Sequence, residues 1–138
     1  MTVNVRPYAH AIDRLRVAGL RPTRQRLALA RLLFDGCDRH VSAEHLHGSA
    51  LSANIRVSLA TVYNTLHQFT TAGLLREIVV DAGRSYFDTN VSTHHHFFYE
   101  KSGQLTDIPG DMIRLEGVPQ APEGYKINRV DVIVRVDG

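Results

Sequence analysis

The sequence predicts an α+β (mixed α/β) fold in two parts, an N-terminal winged helix-turn-helix over residues 1–90 and a small α/β domain over residues 91–138. Three observations predict it. Helical periodicity dominates the N-terminal half, and its last segment, SLATVYNTLHQFTTAG, runs directly into two strand-like stretches, LLREIVV and RSYFD, joined by Asp81-Ala82-Gly83. A helix-turn-helix pair followed by such a hairpin is the plan of a winged helix. After Asn90 the character changes to short strand-like segments interrupted by Gly and Pro, with too few residues for a core of their own.

Each element has a local reason. Pro7 to Ala18 reads as a first helix, with Tyr8, Ile12 and Leu15 on one stripe and Gly19 as its C-terminal cap. Pro22 ends that connection and Thr23 caps a second helix, whose stripe Leu27, Ala30, Leu33 and Phe34 runs to the break at Asp35-Gly36. His40-Val41 leads into Ser42, an N-cap for a third helix over about residues 43–51 with Glu44 in its first turn. His45 and His47 on that helix diverge too far to chelate one ion and read as surface residues. Ser58 opens the fourth helix, which buries Leu59, Val62, Leu66 and Phe69 and stops at Gly73. Its outer face, Thr61, Tyr63, Asn64, His67 and Gln68, carries hydroxyls, an amide and an aromatic ring where a solvent face would carry Lys and Glu, which suits a DNA major groove.

In the second part, HHHFFYE and QLTDIP flank Gly103 as a hairpin. Asp111 to Leu115 has room for one or two helical turns, and IRLEGVPQAPEG is otherwise irregular. YKINRVDVIVRV reads as a strong closing strand, with Ile127, Val130, Val132, Val134 and Val136 as its β-branched residues. A unit with so little core is completed by a partner, so residues 91–138 are expected to be a dimerisation domain and the protein a homodimer. Imidazoles at i and i+2 of an extended segment share a face, so His94 and His96 can hold one metal or haem iron while His95 faces the other way; the tract taken alone also fits a solvated surface strand.

Composition and charge narrow the function. The 43% hydrophobic and 22% charged content is that of a folded soluble chain, and no apolar run approaches the roughly 18 residues of a membrane span. MTVNVRPYAH lacks the apolar stretch of a secretory signal, so a cytoplasmic location is expected. The net charge of +2 is polarised: Arg6, Arg14, Arg16, Arg21, Arg24, Arg26 and Arg31 stand against Asp13 alone in residues 1–31. Arginines concentrated at one end suit phosphates, and Arg24 and its neighbours point to double-stranded DNA as partner. The lone Cys37 supports neither an internal disulfide nor a Cys-based zinc site, which leaves His and carboxylate ligands. A small metalloenzyme, with a catalytic ion on His40, Asp88, His94 and His96, is the rival class. It would also need a general base and a nucleophile or substrate motif, and none remains, so the chain is read as no enzyme.

The succession GLRPTRQR, HVSAEHL, SLATVYNTLHQFTTAGLL, RSYFD and HHHFFYEKSGQLTDI resembles the ferric uptake regulator (Fur) family over nearly the whole chain. Within it, the triple His without neighbouring cysteines, PEGYKI and RVDVIVRV look like the iron response regulator (Irr) branch. The resemblance implies a dimeric winged-helix repressor of iron homeostasis whose operator binding depends on metal or haem. It places the metal ligands at His40, Asp88, His94, His96 and Asp107, an N/O set for Mn²⁺ or Fe²⁺ that also accepts Zn²⁺. Asp at both carboxylate positions also looks like the peroxide-sensing branch. The family's first structural-zinc pair falls on Tyr99 and Ser102, so that zinc is expected to be absent. The Cys-Pro haem motif of some Irr proteins is not matched, because Asp38 follows Cys37, which leaves His94, His95 and His96 for haem. For DNA, the resemblance sends Arg21 toward an A·T-rich minor groove and puts Tyr63 and Asn64 on base edges, with Ser58 and Thr61 at phosphates.

Overall fold

The computed structural model describes residues 9–35 and 37–138. The chain divides into two compact units, one ending at Val91 and the other running over Ser92–Gly138. The first holds four helices, α1 (Ala9–Val17), α2 (Arg24–Leu33), α3 (Ala43–Ser52) and α4 (Leu59–Thr71), and three strands, β1 (His40–Val41), β2 (Arg76–Asp81) and β3 (Arg84–Asp88). The expected start at Pro7 and the place of Tyr8 lie outside the described residues. Gly19 closes α1 at φ +78°, with its N–H on Arg16 and that of Leu20 on the Leu15 carbonyl at 2.8 Å. Thr23 Oγ1 caps α2 by accepting from the Arg26 N–H. Leu29 joins Ala30 and Leu33 on its buried side, a position missing from the expected stripe.

Ser42 caps α3 and Ser58 caps α4, each accepting from the N–H three residues on at 3.1 Å. His47 departs from its expected surface role. It is half-buried, and its Nε2 donates to the Val57 carbonyl at 2.9 Å, tying α3 to the turn before α4. Leu15, Leu29, Leu33, Leu46, Val62, Leu66, Phe69 and Phe87 are fully buried together in the core of this unit. Phe87 reaches that core from the wing, a three-stranded sheet of order β1-β3-β2. The sequence reading had no strand at His40-Val41, because two residues are too few to show an alternation. Gly83 occupies the β2–β3 turn at φ +85°, a conformation that favours glycine.

The second unit is a three-stranded sheet, order β5-β4-β6, made of β4 (His94–Tyr99), β5 (Leu105–Pro109) and β6 (Ile133–Val136). β4 is the middle strand, antiparallel to β5 and parallel to β6. The parallel pairing requires a long crossover, which residues 113–132 supply without helix or strand. Two expectations are corrected here. The closing strand covers only Ile133–Val136, and Ile127 and Val130 stand exposed ahead of it; the Val132 N–H goes to a histidine ring and not to a ladder carbonyl. The turns expected over Asp111 to Leu115 reduce to one 3-10 turn, Gly110–Met112, because Ile113 is already extended at φ −120° and ψ 128°. Phe98, Leu105 and Ile108 are the buried apolar side chains of this sheet among the described residues.

The cap of α4 gives a direct test. Ser58→Ala should lower stability in urea unfolding by about 1 kcal/mol, whereas Ser58→Asp, which retains a cap acceptor, should stay within a few tenths of the parent, so about 0.3 kcal/mol.

Candidate metal centre and nucleic-acid face

In the second unit, strand alternation puts His94 and His96 on one face of β4, with ring centroids 4.6 Å apart. Asp107 on β5 is the register partner of His96. Its Oδ1 lies 3.3 Å from His94 Nε2 and 3.4 Å from His96 Nε2. The ligand atoms of these three residues lie within 4.8 Å of one another, and both imidazoles are buried. His94 Nδ1 is 2.6 Å from the Ser92 carbonyl oxygen. A carbonyl only accepts, so Nδ1 carries the hydrogen, and in the neutral ring Nε2 then bears a lone pair aimed at a carboxylate oxygen. Two acceptors in that position call for a cation between them, either a second proton or a metal ion. A backbone carbonyl holding Nδ1–H is also the support that metal-ligating histidines ordinarily have. The residues therefore fit a divalent ion, and with no thiolate the set suits Mn²⁺, Fe²⁺ or Zn²⁺.

His95 faces the other way, as its position requires, and is buried there. Its Nδ1 accepts the Val132 N–H at 3.0 Å, so it anchors the chain entering β6. Gly110 works beside it: a Cβ at that position would stand 2.8 Å from the Thr93 carbonyl oxygen, so only glycine lets the chain leaving β5 pass the residue before His94.

In the first unit, His40 on β1 and Asp88 on β3 are register partners, with Nε2 to Oδ2 at 3.2 Å. Asp88 is fully buried, and its Oδ1 accepts the Asn90 N–H at 2.9 Å. Arg76 on β2 is its partner on the other side, also buried. A buried carboxylate is costly unless paired, and this row across the wing supplies an imidazole and a guanidinium at neighbouring positions.

The outer face of α4 is arranged as the sequence suggested. Tyr63, Asn64, His67 and Gln68 are exposed and Thr61 is half-buried. Ser58 spends its hydroxyl proton on Thr61 Oγ1 at 2.9 Å. Arg21 and Arg24 are exposed at the start of α2. Arg26 links the two regions, donating through Nε and Nη2 to Gln68 Oε1 at 3.2 and 3.0 Å and through Nη1 to the Arg21 carbonyl at 3.0 Å. Two partners escaped the sequence reading, Arg26 for Gln68 and Glu44 for Tyr63. The Tyr63 hydroxyl donates to Glu44 Oε1 at 2.8 Å across 19 positions of sequence, a separation that leaves no periodic signal. That hydrogen bond, with desolvation and the carboxylate's charge, raises the Tyr63 pKa above its ordinary 10.0.

A winged helix followed by a small sheet carrying a His/Asp cluster defines the class of this chain, a winged-helix protein with a second, smaller β unit. Residues 17–135 match the Ferric uptake regulator family, and the chain belongs to that family. It is 33% identical over 113 residues to the peroxide-responsive repressor PerR of Staphylococcus aureus, covering 78% of this chain and 75% of that one. Among solved structures it is similar to the ferric uptake regulator from Pseudomonas aeruginosa with manganese, with a TM-score of 0.68, 26% identity and coverage of 93% and 97%. The Vibrio cholerae ferric uptake regulator shares the fold at a TM-score of 0.73, 23% identity and coverage of 92% and 98%. The winged helix-turn-helix followed by a dimerisation domain is thus the architecture of this chain. Among the described residues no helix is long and apolar enough to cross a membrane.

The Tyr63–Glu44 bond has a pH signature. Raised in the folded state, the Tyr63 pKa contributes stability that is complete below pH 10 and lost as pH rises through the folded value. Ultraviolet titration of the protein minus that of Tyr63→Phe should show one tyrosine titrating late, and Glu44→Gln should move it toward 10.

Proposed function

We propose that this chain is a metal- or haem-responsive transcriptional regulator of iron homeostasis, of the Irr kind, that works in the cytoplasm as a homodimer on operator DNA and has no enzymatic role. The observation that carries the reading is the His94–Asp107–His96 cluster, whose fixed tautomer and facing lone pairs ask for a cation. Residues 1–90 would be the DNA-binding domain and 91–138 the dimerisation and sensing domain. Exposed Met112, Leu115, Val118, Tyr125, Ile127 and Val130 support the dimer, since a unit burying so few apolar side chains leaves these for a second copy.

In this reading His40, Asp88, His94, His96 and Asp107 hold one ion, Mn²⁺ or Fe²⁺ in the cell and Zn²⁺ as a substitute. Two carboxylates nearly neutralise it, and ligands drawn from both units would let metal status bias their relative setting. Two recognition helices must meet major grooves about 34 Å apart, so such a bias alters operator affinity more than nonspecific affinity. Haem on His94, His95 or His96 would take those imidazoles from Asp107 or Val132 and so oppose the metal. Arg21 reaches an A·T-rich minor groove, phosphate contacts come from Arg24, Thr61 and Ser58, and base contacts from Tyr63 and Asn64.

A second reading, a peroxide-sensing metal-dependent repressor, is favoured by the name of the Staphylococcus aureus relative and by Asp at both positions 88 and 107. Hydrogen peroxide added to Fe²⁺-loaded protein separates the two. Gain of one oxygen atom on the peptide carrying His40 or His94–His96, with loss of operator binding, supports peroxide sensing; release by haem with no such gain supports the Irr reading.

The shared-ion arrangement is tested by His40→Ala, His96→Ala and the double variant. Each single change should abolish the Mn²⁺-dependent part of operator binding, and the double should lose little more than either. Loss equal to the sum, or a single variant that binds metal and operator normally, removes the shared site. Operator affinity should also fall steeply with salt, and Tyr63→Ala should cost about 1–3 kcal/mol of base discrimination.

A further inference from the structure

Tyr63 stands exposed on α4, yet it is held at both ends. Its hydroxyl donates to Glu44 Oε1 at 2.8 Å, and its ring stacks on His67 one turn later, with centroids 6.4 Å apart and planes 19° from parallel. His67 is itself set edge-on against Phe87 of the wing, at 5.6 Å and 83°. Phe87 is fully buried in the core. A surface tyrosine normally turns its hydroxyl to water and chooses whether to donate or accept. This one is placed before any ligand arrives, which reduces the ordering cost of binding.

The chemistry of the two groups then limits what Tyr63 can offer. A phenol has one proton and two lone pairs, and an ionised carboxylate only accepts. With its O–H directed at Glu44, the phenolic oxygen meets a ligand with lone pairs alone. In the major groove, exocyclic amino groups of adenine and cytosine donate, whereas guanine O6 and thymine O4 accept.

We propose that Glu44 is a specificity-determining positioning residue, which accepts the Tyr63 hydroxyl's hydrogen bond and makes Tyr63 an acceptor-only reader that selects an amino-bearing base, adenine or cytosine, over guanine or thymine. The inference rests on the reading of α4 as the DNA recognition helix. Glu44 sets polarity at a cost, because an exposed carboxylate beside the groove repels phosphates. Selectivity and raw affinity are therefore opposed at this position. The raised Tyr63 pKa agrees with the arrangement, since it keeps the hydroxyl protonated and donating.

The experiment is selection of binding sites from a random duplex library by the full-length protein with Mn²⁺, for the parent, Glu44→Gln, Tyr63→Phe and the double variant. Glutamine can donate to the phenolic oxygen and release its proton toward the groove. The expected result is one base position per half-site where the parent prefers A or C, where Glu44→Gln loses about tenfold in discrimination and admits G or T, and where Tyr63→Phe loses it equally. The double variant should be no worse than either single one, and Glu44→Gln should bind unrelated DNA at least as tightly as the parent. A Glu44→Gln profile unchanged at every position overturns the proposal, as do losses at different positions in the two variants or losses that add in the double. A parent that enriches no motif sinks the recognition-helix reading as well, and a parent motif indifferent to Tyr63→Phe but sensitive to Glu44→Gln sinks this proposal alone. Glu44→Asp, which keeps the charge but shortens the reach, guards against a trivial charge effect: it should follow Glu44→Gln in selectivity, and parental selectivity in Glu44→Asp overturns the role of the bond.

Discussion

A single proton committed to a backbone carbonyl governs the chemistry of the second unit. With Nδ1–H of His94 on Ser92, the other nitrogen of the neutral ring presents a lone pair, and it faces a carboxylate oxygen that also presents electrons. His94 and His96 are buried, while the Asp107 carboxylate remains partly open to solvent. The β4–β5 ladder keeps them together regardless, since His96 and Asp107 are partners in its register. The other side of β4 is held too, by the Val132 N–H on His95 and by the β6 ladder. Backbone hydrogen bonds thus hold in place a pairing of side chains that neutral chemistry would disfavour, which is how a protein keeps a cation site ready.

The wing of the first unit follows a related rule. Asp88 lies on its middle strand, with His40 and Arg76 as register partners on either side. The neighbouring residue, Phe87, faces the helical core with Val41 opposite it. One face of the same short sheet is therefore part of the hydrophobic core, and the alternate face carries the buried charge. Strand alternation alone separates these roles over two consecutive residues. A slip of one residue would exchange them, placing a carboxylate among leucines.

The sequence disclosed the elements whose causes are local. Caps at Thr23, Ser42 and Ser58, the glycine stops at 19 and 73 and the β2–β3 turn all depend on residues a few positions apart, and they occur where those residues stand. The HxH face of β4 was legible for the same reason, from a period of two. What escaped depends on distant partners. Strand β1 exists because β3 lies beside it, and His47 is drawn inward by Val57. The last strand is shorter than its β-branched composition suggests, because composition records suitability for pairing and not the reach of the neighbouring strand. β6 pairs only with the His96–Tyr99 end of β4; Val132, one residue ahead, gives its N–H to the His95 ring, and Ile127 and Val130 fall ahead of the start of β4 in that register. Among the candidate residues, identities and spacing were readable, while the direction of each proton was not. That the His94 Nδ1–H points at the Ser92 carbonyl, and that the Tyr63 hydroxyl already donates to Glu44, are facts of geometry.

The position of β6 has a consequence for how the protein tolerates damage. HHHFFY holds three imidazoles and three aromatic rings with no carboxylate, amine or guanidinium, and as the middle strand it has no open edge. The strand that covers one side of it, along His96–Tyr99, is Ile133–Val136. Detachment of that strand would uncover a row of unpaired amide and carbonyl groups along the His96–Tyr99 end of β4. Such an edge templates pairing with another chain, so the β6 ladder also guards the histidine strand against self-association.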